Sequence, residues 1–82
     1  MLKIKVRFLI ALRKDPNSDW GAEVVGEPIF SVGSTIEEAV ENLKEAIRLH
    51  YEGEEINYEI PVESLKSGEY DDAILKVIEV NL

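Results

Sequence analysis

Apolar and polar residues alternate along the start of the chain, which predicts a first β-strand with two unlike faces. One face holds Ile4, Val6, Phe8, Ile10 and Leu12, and the other holds Lys3, Lys5 and Arg7. Turn-forming residues around Pro16 then reverse the chain, and residues 20–25 predict a second strand that pairs back antiparallel on the first. Residues 29–32 predict a short third strand.

After the third strand the spacing of apolar residues changes from two to three and four, which predicts a helix. Ser34 and Thr35 are each followed three residues later by a glutamate, Glu37 or Glu38, so a capping box can form in either of two registers. The stripe predicted to face the sheet consists of Ile36, Val40, Leu43, Ile47 and either His50 or Tyr51.

Regular structure is harder to assign between residues 54 and 72. Residues 56–62 alternate, but Pro61 lacks an N–H group and confines any strand there to a sheet edge, so we predict an extended, unpaired segment. Residues 63–72 predict a loop with one helical turn around Leu65. The chain as a whole is predicted to be a single α+β domain over residues 1–82, with a three-stranded antiparallel sheet, one helix and a C-terminal strand (βββαβ).

The predicted last strand, residues 73–82, is apolar on both faces. One face holds Ile74, Ile78, Val80 and Leu82, and the other holds Leu75 and Val77. A strand that is apolar on both sides has to be covered on both sides, and one helix covers only one face of a small sheet. We therefore expect a homo-oligomer in which Leu75 and Val77 lie in the interface between copies.

The composition is that of one small folded domain, with 82 residues, 45% hydrophobic and 32% charged. The absence of cysteine excludes disulfides, thiolate catalysis and cysteine zinc sites. No apolar run approaches the roughly 20 residues that span a bilayer, and the alternating N-terminus does not have the pattern of a signal peptide. We expect a cytoplasmic protein with no membrane association.

Charge is unevenly distributed along the chain. Residues 1–14 carry five bases and no acid, whereas residues 15–82 carry 4 bases and 17 acids, a charge of -13. An acidic body repels a phosphate backbone and attracts a basic protein, so direct nucleic-acid binding is not expected. The candidate partner-binding residues lie on the exposed face of the predicted helix: Glu37, Glu38, Glu41 and Glu45. The alternative is that this face is only solvated.

No constellation of residues predicts catalysis, a cofactor site or a metal site. The only histidine, His50, falls near the end of the helix at a packing or capping position. The glycines match neither the dinucleotide-binding nor the P-loop spacing. Asp71 and Asp72 are the best metal candidates, but turn chemistry already explains them.

Two stretches in the middle of the chain carry a family resemblance: residues 31–39 read SVGSTIEEA and residues 41–46 read ENLKEA. They resemble the N-terminal domain of HicB-type antitoxins and their stand-alone relatives, which typically have a small polar residue, a glycine, a threonine and then a helix with Glu-Glu-Ala and Asn-Leu. The resemblance covers about residues 3–52. It departs before the third strand, where the family usually has a Pro-Gly-Cys-like turn and this chain reads EPIF at residues 27–30.

The resemblance implies a partial ribonuclease-H-like fold without catalytic carboxylates, usually dimeric or higher. It also implies a role: binding a small basic toxin that cleaves messenger RNA and blocking its active site. Many members add a ribbon-helix-helix or helix-turn-helix module, and residues 54–82 predict neither. Three functions therefore stand: an antitoxin as the leading hypothesis, a stand-alone relative with a structural or scaffolding role and no toxin, and a metal-dependent nuclease of the ribonuclease-H type.

Overall fold

The computed structural model describes residues 4–17 and 19–82, so the start of the alternating run at Lys3 lies outside the described residues. The elements are β1 (Lys5–Lys14), β2 (Trp20–Val24), β3 (Phe30–Gly33), α1 (Ile36–His50), α2 (Val62–Lys66) and β4 (Ile74–Asn81). The strands form one antiparallel sheet in the order β3-β2-β1-β4. The predicted α+β fold is confirmed, and the last strand completes a four-stranded sheet by pairing with β1.

The core lies between one face of the sheet, the inner face, and helix α1. Phe8, Ile10 and Leu12 of β1 are almost fully buried there, beside Ala22 and Val24 of β2. On α1 the matching buried residues are Ala39, Val40, Leu43 and Ile47. The period-two face of the strand and the three-and-four stripe of the helix therefore meet as the sequence predicts.

Helix α1 begins at a capping motif in which Glu38 bonds back to Ser34, one residue before the N-cap. Thr35 is the N-cap, and its Oγ1 accepts the backbone N–H of Glu38 at 3.0 Å. The Glu38 carboxylate accepts the Ser34 backbone N–H at 3.1 Å and the Ser34 hydroxyl at 3.3 Å. Of the two predicted registers, the side-chain bond of the Thr35–Glu38 register forms, whereas the return bond from Glu38 goes to Ser34 and not to Thr35. At the other end Tyr51, not His50, continues the stripe, because His50 is exposed and Tyr51 packs against the core.

The segment between α1 and α2 has no regular structure, in agreement with the effect expected of Pro61. Tyr58 holds it to the core: its ring centroid lies 4.8 Å from that of Phe8, and its hydroxyl donates to the Val25 carbonyl at 2.7 Å. Helix α2 confirms the predicted helical turn around Leu65. No helix in the described part of the chain is long and apolar enough to cross a membrane.

The opposite, outer face of the sheet is partly covered by residues 67–73, which we call the cover segment. Leu9, Ala11 and Val25 are buried beneath Tyr70 and Ala73 of this segment. The chain itself thus supplies part of the second cover that the sequence analysis assigned to another copy. On β4, Ile78 and Val80 are buried, but Ile74 is 51% exposed because α1 packs mainly over β2 and β3.

We predict that Gly33→Ala destabilises the fold by about 1–3 kcal/mol. Gly33 lies against the start of α1, and a Cβ atom there would approach the Ala39 backbone nitrogen to 2.5 Å and the Glu38 carbonyl carbon to 2.8 Å. Backbone atoms cannot rotate away as a side chain can, so the helix would have to shift. Urea unfolding monitored by circular dichroism measures the loss.

Gly21→Ala is the matched control, because a Cβ at Gly21 would meet only the Arg13 carbonyl oxygen, at 3.8 Å. Alanine also costs less conformational entropy in a strand than glycine, so this variant should be as stable as the parent or slightly more stable. Equal stability of the Gly33 and Gly21 variants would contradict the close contact between β3 and α1.

Candidate functional site

The four glutamates predicted to bind a partner lie together on the exposed surface of α1. We call this surface the acidic helix face; it consists of Glu37, Glu38, Glu41 and Glu45. Glu37 and Glu38 occupy the first turn, where the helix dipole stabilises negative charge. The fold therefore brings all four predicted residues to the exposed side of α1, with Glu37 and Glu41 on the flank nearest β4.

Three of these four carboxylates already have partners within the chain. Glu38 belongs to the capping motif at Ser34 and Thr35. Glu41 pairs with Lys44 at 3.4 Å and Glu45 pairs with Arg48 at 3.5 Å, each three residues further along the helix. Such exposed pairs contribute less than about 1 kcal/mol and exchange readily with a competing cation. The acidic helix face is thus less negative than its four glutamates suggest, but it stays open to a basic partner.

A shallow cleft lies beside the acidic helix face, between α1 and β4. It has a volume of about 320 Å³, and its lining includes Glu37, Glu41 and, from the other side, Lys76. Ile36 and Val40 supply its apolar floor. An incoming lysine or arginine could place its alkyl stem on this floor and its charge beside the two carboxylates.

A second acidic region, which we did not predict, follows α1. Five exposed glutamates occur in it: Glu52, Glu54, Glu55, Glu59 and Glu63. No lysine or arginine occurs between residues 49 and 65, and that gap in the sequence is the signal that could have revealed the region. It adds negative charge beyond the C-terminal end of α1, whereas Glu37 and Glu38 lie at the N-terminal end.

Arg13 connects the end of β1 to the cover segment. Its guanidinium donates to Glu23 at 2.6 Å, to Asp72 at 3.2 Å and to the Glu69 carbonyl at 2.9 Å, and it lies 5.3 Å from the centre of the Tyr70 ring. The hydrogen bond to Glu23, followed by the interaction with Asp72, raises the pKa of Arg13 above its usual value despite partial burial. Asp72, one of the two metal candidates, therefore serves as a partner of Arg13, and no group of metal-ligating residues occurs in residues 4–17 and 19–82.

The two residues predicted to lie between copies are exposed on the outer face of β4. The relative exposure of Leu75 is 42% and that of Val77 is 49%. β4 is the last strand of the sheet, so its far side pairs with nothing in the described chain. Apolar side chains beside an unpaired strand edge are suited to association with another chain.

A second exposed apolar pair lies at the opposite edge of the sheet and was missed from the sequence. Phe30, with 74% relative exposure, and Val32 project from the outer face of β3. With Gly21 they border a groove of about 230 Å³. Ser31 and Gly33 take the inner positions of β3. Two small residues at these positions are the feature of the sequence that could have indicated that Phe30 and Val32 face outward.

Known proteins match this chain over most of its length. A family model described as "HicB_like antitoxin of bacterial toxin-antitoxin system" matches residues 8–82. The crystal structure of the N-terminal domain of the Burkholderia pseudomallei antitoxin HicB is similar, with a TM-score of 0.77 at 34% identity, over 94% of this chain and 100% of that domain. A crystal structure of the Burkholderia pseudomallei antitoxin HicB gives 0.75 at 35% identity, over 92% of this chain and 63% of that protein.

A phage protein is also similar in sequence. It comes from Haemophilus phage HP1, is described as an uncharacterized 14.9 kDa protein in the rep-hol intergenic region, and is 42% identical over 59 residues. That alignment covers 65% of this chain and 44% of the phage protein. The chain therefore spans less than half the length of this relative, and less than two thirds of the longer HicB structure.

We predict that Arg13→Gln loosens the cover segment and speeds proteolytic cleavage within residues 67–73. The variant loses the ion pairs to Glu23 and Asp72, and because these are partly exposed the global loss of stability should be only about 1 kcal/mol. Limited proteolysis with mass spectrometry locates the cleavage sites.

Arg7→Gln provides the matched control, since its pair with Glu79 is long, at 3.8 Å, and exposed. This variant should be cleaved like the parent. Equal cleavage of the Arg13 and Arg7 variants would mean that the apolar contacts of Tyr70 and Ala73 hold the cover segment without Arg13.

Proposed function

Because the chain belongs to the family of HicB-like antitoxins of bacterial toxin–antitoxin systems, we propose that it binds a small basic toxin that cleaves messenger RNA, and thereby neutralises it. The observation that carries the proposal is the family match over residues 8–82. It is joined by the likeness of the whole fold to the N-terminal domain of an antitoxin. An antitoxin role follows from the family; the nature of the toxin is our proposal.

The charge of the protein supports a basic partner. Residues 15–82 carry -13, and a toxin that binds RNA needs a cationic surface to do so. A field of opposite sign speeds encounter between two proteins and lets one cover the other's RNA-binding surface. We propose that the chain acts by occupying that surface, without catalysis, without cofactor and without binding nucleic acid directly. On this proposal it works in the cytoplasm, where the messenger RNA is.

The acidic helix face is the proposed docking surface. Glu38 fixes the start of the helix through Ser34, so its carboxylate is the least available of the four. Glu41 and Glu45 can exchange Lys44 and Arg48 for cations of the partner at little cost. Glu37 has no ion pair within the described residues, and it borders the cleft that also contains Glu41. Glu37 and Glu41 are therefore the pair that we expect to matter most.

We also propose that the chain forms a homo-oligomer through Leu75 and Val77. Both side chains are about half exposed on β4, and burying them against a second copy would remove apolar surface from water. A domain of this size buries only about 60% of its unfolded surface, so it gains more from association than a large domain would. The acidic helix face belongs to α1, on the other side of the sheet, and stays accessible in such an oligomer.

The proposed function predicts that a small basic protein is encoded beside this chain in its native genome, and that protein supplies the test. We predict that this protein alone cleaves messenger RNA and that cleavage stops when the chain is added in equimolar amount. The chain alone, with Mg²⁺ or Mn²⁺, should cleave neither RNA nor DNA. Gel analysis of a defined transcript gives all three results.

Each contrary result favours a different function. A basic neighbour that neither binds the chain nor cleaves RNA would contradict the toxin proposal and favour a stand-alone scaffolding role. Cleavage by the chain alone that co-purifies with it and disappears with chelator would favour the nuclease.

We predict that the double variant Glu37→Gln, Glu41→Gln slows association with the toxin by about three- to tenfold and changes the dissociation rate less. Charges at the margin of an interface act mainly on the encounter rate. Raising salt from 0.1 M to 1 M shortens the Debye length from about 10 Å to about 3 Å and should reduce the difference between variant and parent. Stopped-flow or surface-plasmon measurements give both rate constants.

The control is Glu54→Gln, Glu55→Gln, which makes the same change in net charge outside the acidic helix face. Its association should slow less than that of the helix variant. Equal slowing by the two variants would show that only total charge matters, and unchanged rates in both would contradict docking by charge.

A further inference from the structure

We propose that two copies of the chain join through their β4 strands, antiparallel and in the register that places Val77 opposite Val77 of the second copy. The two four-stranded sheets then form one continuous eight-stranded sheet with both α1 helices on the same side. This inference rests on the proposed self-association and specifies its geometry. It does not depend on the identity of the toxin.

The hydrogen-bonding pattern of β4 decides which of its groups are free. Ile4 and Leu82 exchange both backbone hydrogen bonds, at 3.2 and 2.8 Å. Partners alternate along an antiparallel ladder, so the even-numbered residues of β4 bond to β1 and the odd-numbered residues point away from it. The hydrogen bonds of β1 follow the same alternation. Leu9 lies opposite Val77, and its carbonyl accepts the Val25 N–H of the other neighbouring segment, at 2.9 Å, and not a bond from β4.

The outward-pointing residues form what we call the β4 edge: Leu75, Val77, Glu79 and Asn81. The backbone N–H and C=O groups of this edge have no backbone partner in the described chain. Their side chains share the outer face, where Leu75 and Val77 are exposed. One set of residues thus offers hydrogen-bonding groups along the edge and apolar surface beside it, and a second copy of β4 offers the same set in return.

The other edge of the sheet is less suited to pairing. β3 has only four residues, and the Asn42 side-chain amide donates to the Val32 carbonyl at 2.9 Å, so this edge acceptor is already satisfied. β4 has eight residues and contains no proline. Proteins commonly protect an exposed edge by shortness or by such side-chain contacts, and β4 has neither protection.

Charge and apolar contact together select among the registers in which outward residues face each other. A register centred on Lys76 would place Lys76 opposite its own copy, and like charges directly opposite are destabilising. A register centred on Ile78 would place Val77 opposite Glu79 and bring Glu79 diagonally near its copy. The register centred on Val77 places no like charges directly opposite each other, and it gathers Leu75 and Val77 of both copies into one apolar cluster on the outer face. Its two Lys76 residues are diagonal neighbours, and each borders a cleft that also contains Glu37 and Glu41 of its own chain.

A single engineered cysteine tests this register, because the chain has none of its own. Opposite residues in a hydrogen-bonded pair have Cα atoms about 5.5 Å apart, within the range of a disulfide. Val77→Cys should therefore form a covalent dimer under mild oxidation. Val77 is half exposed, so cysteine is tolerated there without a cavity in the core.

Two variants serve as controls: Leu75→Cys and Val32→Cys. In the proposed register Leu75 is offset by four residues from its own copy, about 13 Å along the strand, and should not cross-link. Val32 is exposed on β3, at the far edge of the sheet, and reports random collisions. Non-reducing electrophoresis at several dilutions quantifies the covalent dimer, and we expect at least a tenfold excess for Val77→Cys over either control.

Light scattering of the parent chain separates the geometry from the self-association on which it rests. The mass should be twice the 9.3 kDa of one chain at micromolar concentration, or a multiple of that mass if dimers associate further. An oligomer in which Leu75→Cys cross-links as well as Val77→Cys, or in which Val77→Cys does not cross-link, would overturn the β4 register and leave self-association standing. A stable monomer would overturn both.

Discussion

The burial of β1 on both faces and along both edges is the constraint on which the rest of the structure depends. From Phe8 to Leu12 every residue of this strand is buried. α1 covers one face, the cover segment covers part of the other, and β2 and β4 occupy the two edges. A strand without polar side chains in its centre is stable only in such surroundings. The domain can be understood as the set of elements needed to enclose β1, and its candidate binding surfaces lie on the outer sides of those elements.

Local patterns were enough to predict most of the elements. Alternation identified β1 and β2, and the capping box with its apolar stripe placed α1 to within a residue of Thr35 and Tyr51. These features depend on neighbours only a few positions apart, so they can be read from sequence. The contacts of Arg13 with Glu69 and Asp72 could not, because they join residues 56 and 59 positions apart. For the same reason the cover segment was predicted only as a loop, although the burial of Leu9 and Ala11 required a cover.

The candidate sites show the same division between local and long-range information. The acidic helix face could be predicted because helical spacing alone brings Glu37, Glu41 and Glu45 to one side. Its partial neutralisation by Lys44 and Arg48 was also within reach of the sequence, since both pairs are three residues apart. The exposure of Leu75 and Val77 agrees with the two-sided apolar pattern of the last strand, whereas the half-exposed position of Ile74 depends on where α1 crosses the sheet and was not foreseen.

The elements of this antitoxin-family domain thus enclose β1, and we propose that its sheet is left open at the β4 edge, where a second copy completes it. Amide hydrogen exchange of β4, resolved by residue, tests this most directly. We expect the Lys76 and Ile78 amides to be protected at every protein concentration, because they bond to β1. The Leu75, Val77 and Glu79 amides should exchange quickly in dilute protein and become protected as concentration rises. Fast exchange of these three amides at all concentrations, under conditions where Lys76 and Ile78 remain protected, would contradict the account.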